Sequence, residues 1–212
     1  MTRGRFIAFA GGEGAGKSTQ ARLLAEHLRT LGIEVLLTRE PGGTPGGEAI
    51  RGLLLDPPGE GWGPEAEALL FAAARADHVA RAIRPALAAG RWVISDRYVD
   101  SSRAYQGGGG GLSDADVLAL HAVGSGGLLP DLTVLIEVAP EEAAARLARR
   151  DGDASDAIGG RDAAYHTEVA AAFARIAETE PGRFARITSA ATAAETHAQV
   201  VASLAPLLEE AR

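Results

Sequence analysis

Between an apolar pentapeptide, Phe6-Ile7-Ala8-Phe9-Ala10, and a helix-patterned stretch beginning at Lys17 lies Gly11-Gly12-Glu13-Gly14-Ala15-Gly16-Lys17-Ser18. The octapeptide fits G-x-x-x-x-G-K-[ST], the phosphate loop that joins a buried strand to the N-terminus of a helix. Its glycines let the backbone turn N–H groups into a concavity of phosphate size, and the adjoining helix adds the positive end of its dipole. Lys17 offers a compact cation to the β- and γ-phosphates of a nucleotide, and the Ser18 hydroxyl offers a ligand to Mg2+. Thr19 continues the same helix start and completes the expected nucleotide-binding segment.

Apolar runs and helix-patterned stretches alternate through the rest of the chain. Residues 33–38, 92–95, 132–138 and 184–188 read as further strands. Both faces of these runs are largely apolar, as expected of parallel strands covered by helices on each side. Helices are expected over 17–31, closed by Gly32, over 48–55, over 64–89 with an interruption near Pro85, and over 114–123. Pro140-Glu141-Glu142 opens another, with proline at the first helical position and carboxylates in the positive first turn. Thr192 and Glu195 form a capping-box signature for the last helix. The alternation implies an α/β fold: a doubly wound, parallel, five-stranded sheet of the P-loop type, flanked by helices. A single domain over 1–212 is expected, with a short lid over about 149–161. Two stretches break the pattern, 107–111 (five glycines) and 151–160 (polar), and both read as surface loops.

A phosphate loop needs an acidic partner for its metal at a neighbouring strand end. The run Trp92-Val93-Ile94-Ser95-Asp96 delivers one, so Ser18 and Asp96 are the expected metal residues. Other residues narrow the chemistry. Thr38-Arg39-Glu40-Pro41-Gly42-Gly43-Thr44 follows the second strand, Phe71-Ala72-Ala73-Ala74-Arg75 lies in a helix, and Pro130-Asp131-Leu132-Thr133 leads into the fourth strand. Asp96-Arg97-Tyr98-Val99-Asp100-Ser101-Ser102-Arg103-Ala104-Tyr105-Gln106-Gly107 follows the third. By themselves Phe71 reads as core and Arg75 as surface, while Arg39 and Arg97 read as exposed arginines at two strand ends facing one cleft. Four apart on a helix, Phe71 and Arg75 share a face.

In order and spacing these motifs closely resemble the thymidylate kinases, over nearly the whole chain and weakly from Asp151 onward. The resemblance implies Mg2+-dependent transfer of the ATP γ-phosphoryl group to thymidine monophosphate (dTMP). It implies that Phe71 stacks on thymine, that Arg75 reaches the O4 oxygen, and that Gln106 hydrogen-bonds the base edge. Tyr105 would crowd a ribose 2′-hydroxyl, and Ser102 falls where the family contacts sugar and base. Arg39 and Arg97 would clamp the acceptor phosphate with Arg51 as a further contact, and Pro41 is expected among the acceptor-binding residues. Glu13 and Glu40 offer carboxylates near the reacting phosphates. Since the acceptor is already a phosphate oxygen, positioning and charge stabilisation outweigh general-base catalysis.

Thymidylate kinases bring an arginine to the transferred phosphoryl group from the phosphate loop or from a lid. Here the loop carries Gly14 and Ala15 and no arginine, which leaves the lid. The helix opened by Pro140 ends in Arg146-Leu147-Ala148-Arg149-Arg150, and Arg150 is the first candidate with Arg149 next. A cationic helix C-terminus favoured by the dipole is the plain alternative. Three positions depart from the family pattern: Ala10 replaces a glutamate before the loop, Asp156-Ala157-Ile158-Gly159 lacks the usual arginine with Arg161 as the nearest replacement, and Thr167-Glu168-Val169-Ala170 replaces a basic helix.

Composition limits the alternatives. There are no cysteines among 212 residues, which removes thiol chemistry, disulfides and thiolate zinc sites. A net charge of −7 disfavours a nucleic-acid partner. No apolar run reaches the length of a membrane span, and the N-terminus lacks the apolar core of a signal peptide, so a cytoplasmic protein is expected. The Ala-rich helix from Pro64 and the family resemblance together suggest a homodimer. Competing readings are a P-loop kinase for another acceptor, such as deoxyuridylate or a nucleoside, and a nucleotide-binding regulator.

Overall fold

The computed structural model describes residues 3–151, 157–189 and 192–210, with the side chains of Arg150, Asp151 and Glu210 left outside that description. Its strands are β1 (Phe6–Ala10), β2 (Val35–Arg39), β3 (Trp92–Asp96), β4 (Leu132–Glu137) and β5 (Phe184–Thr188). They pair in parallel as one five-stranded sheet in the order β2-β3-β1-β4-β5. The helices are α1 (Lys17–Thr30), α2 (Pro45–Leu55), α3 (Pro64–His78), α4 (Arg84–Ala88), α5 (Val99–Ser102), α6 (Asp114–Ser125), α7 (Pro140–Asp151), α8 (Ala163–Thr179), α9 (Ala193–Ser203) and α10 (Ala205–Glu210).

Period-two alternation in β1 explains the layering. Ile7 and Phe9 face α1, joining Leu24, Leu28, Val200 and Leu204 in one core. Phe6 and Ala8 face the other way, into a second core with Val79, Ile83, Leu87 and Val93. With every residue of β1 buried, the strand can only occupy the middle of the sheet. A third core forms where α8 lays Val169, Phe173 and Ile176 against Tyr105 and Leu135. Among the described residues no helix is long and apolar enough to cross a membrane.

The interruption expected near Pro85 is a π-helical turn over Val79–Ile83 that hands the chain from α3 to α4. Proline has no N–H to donate and its ring crowds the preceding turn, so the helix widens just before it. The expected loop over 107–111 is corrected. Instead, α5 runs without a break into a π-helical stretch, Arg103–Gly109, which packs on α8. A Cβ on Gly108 would sit 2.3 Å from the Ala172 Cβ, and one on Gly109 would sit 2.5 Å from the Tyr165 ring. The glycines are therefore a close-packing seam and not a flexible loop. Of the other expected loop, 152–156 lie outside the described residues, and 157–160 form a turn.

α8 had no counterpart in the sequence reading, although its signals are present. Asp162 caps it by accepting from the Tyr165 N–H at 2.8 Å, and Val169, Phe173 and Ile176 recur at helical spacing. The Pro-Asp-Leu-Thr motif is structural. Asp131 accepts from the Phe6 N–H at 2.6 Å, while the Thr133 hydroxyl donates to Asp100 at 2.9 Å. Arg183 grips both oxygens of Asp100 at 2.7 and 2.8 Å, pinning α5 against β4 and β5. Burial opposes the Asp100 charge, but Arg183 outweighs it and holds the carboxyl below its ordinary range.

Candidate active site

The C-terminal ends of β1, β3 and β2 lie side by side, because Phe9 is in register with Asp96 and Asp96 with Arg39. In an open parallel sheet this edge is where ligands bind. A cavity of about 530 Å³ opens there. Glu13, Gly14, Gly16, Lys17, Ser18 and Thr19 line one end. Gly11, Gly12 and Ala15 belong to the same loop outside this lining. Gly11 has φ +131°, and a Cβ there would meet the Ile136 carbonyl oxygen at 2.4 Å, so only glycine serves. Gly16 caps α1 in a left-handed conformation, and Lys17 folds back to donate Nζ to the Gly12 carbonyl at 2.6 Å.

Ser18 and Asp96 meet as expected, the serine hydroxyl donating to Asp96 Oδ2 at 2.5 Å. Asp96 Oδ1 is buried without a hydrogen-bond partner, which suits a cation. Among the described residues no three His, Asp or Glu side chains converge as a metal cage. One hydroxyl and one carboxylate, completed by phosphate oxygens and water, is the set Mg2+ favours.

Across the cavity stand Arg39, Glu40, Pro41, Arg51, Phe71 and Arg75, joined by Arg97, Ser102, Tyr105 and Gln106. Every residue expected at the acceptor thus lines this one cavity. Arg75 departs most from the plain reading: it is buried, at 3% exposure, not a surface residue. Its Nε donates to Glu40 Oε2 and its Nη2 to the Ser102 hydroxyl, each at 2.7 Å. Glu40 Oε1 meets His78 Nδ1 at 3.1 Å. Both carboxylate oxygens are thereby engaged, so Glu40 holds Arg75 in place rather than presenting a free carboxylate to the phosphates. Phe71 is half-buried, one helical turn from Arg75.

Arg97 has φ +70°, the one positive value outside glycine among the described residues. That turn aims its side chain back over the sheet edge, where it pairs with Glu13, donates to the Tyr105 hydroxyl at 3.2 Å and lies 4.8 Å from the Tyr105 ring centre. Burial works against its charge and is outweighed by Tyr105 and Glu13, leaving the guanidinium pKa raised. Arg39 stays exposed and pairs with Glu48, and Arg51 donates to the Pro41 carbonyl at 2.9 Å.

The arginines after Pro140 divide. Arg146, which the sequence reading did not single out, lines the cavity and bonds the Ser189 hydroxyl at 3.0 Å and the Gly14 carbonyl at 3.4 Å. No local signal distinguishes it: it reaches the cavity because Ala143, one turn earlier in α7, packs against Gly14 of the phosphate loop. Arg149 is exposed and donates Nε to the Ala145 carbonyl at 3.2 Å, while the Arg150 side chain lies outside the described residues. Arg161 does not turn to the phosphate loop. It pairs with Glu67 at the far side of Gln106.

This arrangement, a phosphate loop facing a wall of buried arginine, aromatic and amide groups, has known counterparts. The thymidylate kinase family model matches residues 9–200. The chain belongs to the thymidylate kinase family. The thymidylate kinase of Rhizorhabdus wittichii is 54% identical over 97% of this chain and 99% of its own length. That of Cereibacter sphaeroides is 50% identical over 99% of this chain and 98% of its own. The crystal structure of thymidylate kinase from Ehrlichia chaffeensis superposes with a TM-score of 0.77 at 33% identity, covering 95% of this chain and 98% of that one. The five-stranded parallel sheet and its flanking helices are the thymidylate kinase fold.

Proposed function

We propose that this enzyme transfers the γ-phosphoryl group of ATP to dTMP, giving dTDP and ADP. The observation that carries the reading is a single cavity with a phosphate loop at one end and Phe71, Arg75 and Gln106 at the other, bridged by Arg97. Two anions facing each other need separate cations. Lys17 and the α1 N-terminus serve the donor, while Arg39, Arg51 and Arg97 serve the acceptor phosphate. Phe71 stacks on the pyrimidine, Arg75 donates to its O4, and Tyr105 fills the space beside C2′, which favours a deoxyribose. Ser102, buried under Arg75, keeps that guanidinium aimed.

Ser18 and Asp96 would hold Mg2+, whose charge neutralises the donor phosphates. Lys17 and Arg97 hold the reacting oxygens in line, which accounts for most of the acceleration in such transfers. Glu13 keeps Arg97 over the loop before substrates arrive. Arg150 or Arg149 completes the charge stabilisation from the lid. A cytoplasmic homodimer fits the remaining features. Leu53, Leu69 and Val123 are exposed on α2, α3 and α6, neighbouring helices on which a second copy could cover apolar side chains.

ADP release from ATP and Mg2+ tests the reading when dTMP, dUMP, dCMP and thymidine are compared. Turnover should be fastest with dTMP and absent with thymidine, which has no phosphate for the arginines. Equal rates with thymidine would refute it. Arg150→Ala and Arg149→Ala should lower kcat, and unchanged kcat in both would remove the lid assignment.

A further inference from the structure

We propose that Glu67 and Arg161 set the base selectivity of the acceptor pocket by fixing which way round the Gln106 amide sits. Gln106 separates the main cavity from a second one of about 270 Å³, and it lines both. A glutamine amide carries a donor end and an acceptor end, and its direction follows from its partner. The partner here is Glu67 Oε1, 3.0 Å from Gln106 Nε2. An ionised carboxylate only accepts, so the NH2 group must face it and the carbonyl must face away. Gln106 is 2% exposed, and its Oε1 has no hydrogen-bond partner. A buried acceptor left without a donor is rare in a folded protein, and here the residue lines a cavity, where a ligand donor can complete it.

Glu67 does not stand alone. Arg161 Nη2 donates to its other oxygen, and Arg161 is itself fixed, donating Nη1 to the Tyr165 hydroxyl at 2.7 Å with the guanidinium 4.6 Å from that ring centre. The Tyr165 hydroxyl passes the chain on to the Tyr105 carbonyl at 3.0 Å, next to Gln106 in the backbone. The clamp therefore grips Gln106 twice, through its amide and through the preceding peptide.

The inference rests on the dTMP reading above and adds the source of its selectivity. Thymine and uracil carry a donor at N3, which the fixed carbonyl accepts, while Arg75 donates to O4. Cytosine carries an acceptor at N3, and acceptor would then face acceptor. Glu67 and Arg161 touch no substrate, so both are positioning residues. They discriminate dTMP from dCMP and leave dTMP against dUMP to other contacts.

Steady-state kinetics on the full-length enzyme with dTMP and dCMP test this, with thermal melts to show which variants fold. In Glu67→Gln the new amide can donate or accept, which frees Gln106 to reverse. The ratio of kcat/KM for dTMP over dCMP should fall roughly tenfold or more, mainly through a higher KM for dTMP, with kcat for dTMP kept within about twofold. Arg161→Ala should raise the KM for dTMP several-fold, and Arg161→Lys should restore it only in part, because an ammonium keeps the charge beside Glu67 but not the second bond and the stacking on Tyr165. If Glu67→Gln does not fold, the Arg161 pair decides. Wild-type enzyme that releases no ADP with dTMP would overturn the acceptor reading and this proposal together. Wild-type activity on dTMP, with an unchanged ratio and KM in the folded variants, would overturn this proposal alone.

Discussion

Arg97 and Glu13 form an ion pair across the cleft, tying the arginine that follows β3 to the phosphate loop. The pair exists because Arg97 adopts φ +70°, a conformation that costs a non-glycine residue roughly 1–2 kcal/mol. Strain of this kind persists where the surrounding contacts over-determine it.

That geometry separates function from stability at one position. Arg97→Ala and Arg97→Gly should both lower kcat/KM for dTMP by about a hundredfold or more, since each removes the bridging cation. Urea unfolding should show the glycine variant more stable than the alanine variant by about 1 kcal/mol, because glycine enters the left-handed region freely. Equal stabilities would mean that the backbone there is unstrained.

Asp96 offers a buried, unpartnered oxygen beside the Ser18 hydroxyl. Asp96→Asn keeps the shape and removes the charge, so it should raise the Mg2+ concentration needed for half-maximal activity and cut kcat by about a hundredfold. Chelation with EDTA should abolish turnover in the parent enzyme. A Mg2+ titration of both proteins measures the shift.

The glycine seam should tolerate little. Gly108→Ala puts a methyl group against Ala172, and such overpacking costs about 1–3 kcal/mol. Gly182→Ala, with open space around it, should stay within about 0.5 kcal/mol. Thermal melts of the two variants provide the comparison.

His121 gives the fold a pH signature. Burial, and then the charge of Arg75, push it down to about 4 from an ordinary value of 6.5. The folded protein thus refuses a proton that the unfolded chain accepts, so this group lowers stability as pH falls from 6.5 to about 4 and not further. The slope attributable to it is at most about 1.4 kcal/mol per pH unit. His121→Gln should flatten the stability profile across that window in urea titrations. Below it, loss of the Asp100 charge should still destabilise both proteins, since that carboxyl is held low.

Much of this was legible in the chain because the relevant signals are local. β1 and β5 fall where the apolar runs end, and Thr192 caps α9 through the reciprocal bonds its spacing with Glu195 implies. The phosphate loop, with Ser18 beside Asp96, assembles as the motifs suggest. What escaped depends on long-range packing. Arg75 reads as a surface arginine until Glu40 and Ser102 arrive from other elements to bury it. Gly107 to Gly109 read as a loop because glycine disfavours helix, and only the approach of α8 explains them. Arg161 could be placed near the lid from its position in the chain, but its side chain answers to Glu67, 94 residues away.

The partition made by Gln106 bears on inhibitor design. A molecule seated against Phe71 and Arg75 and extended toward Trp62 would have to swing that amide aside to enter the smaller chamber. Beyond it waits a carboxylate already neutralised by a guanidinium, so a neutral polar arm fits better there than a cation. Compounds of that shape would compete with the nucleotide and disturb its recognition in a single step.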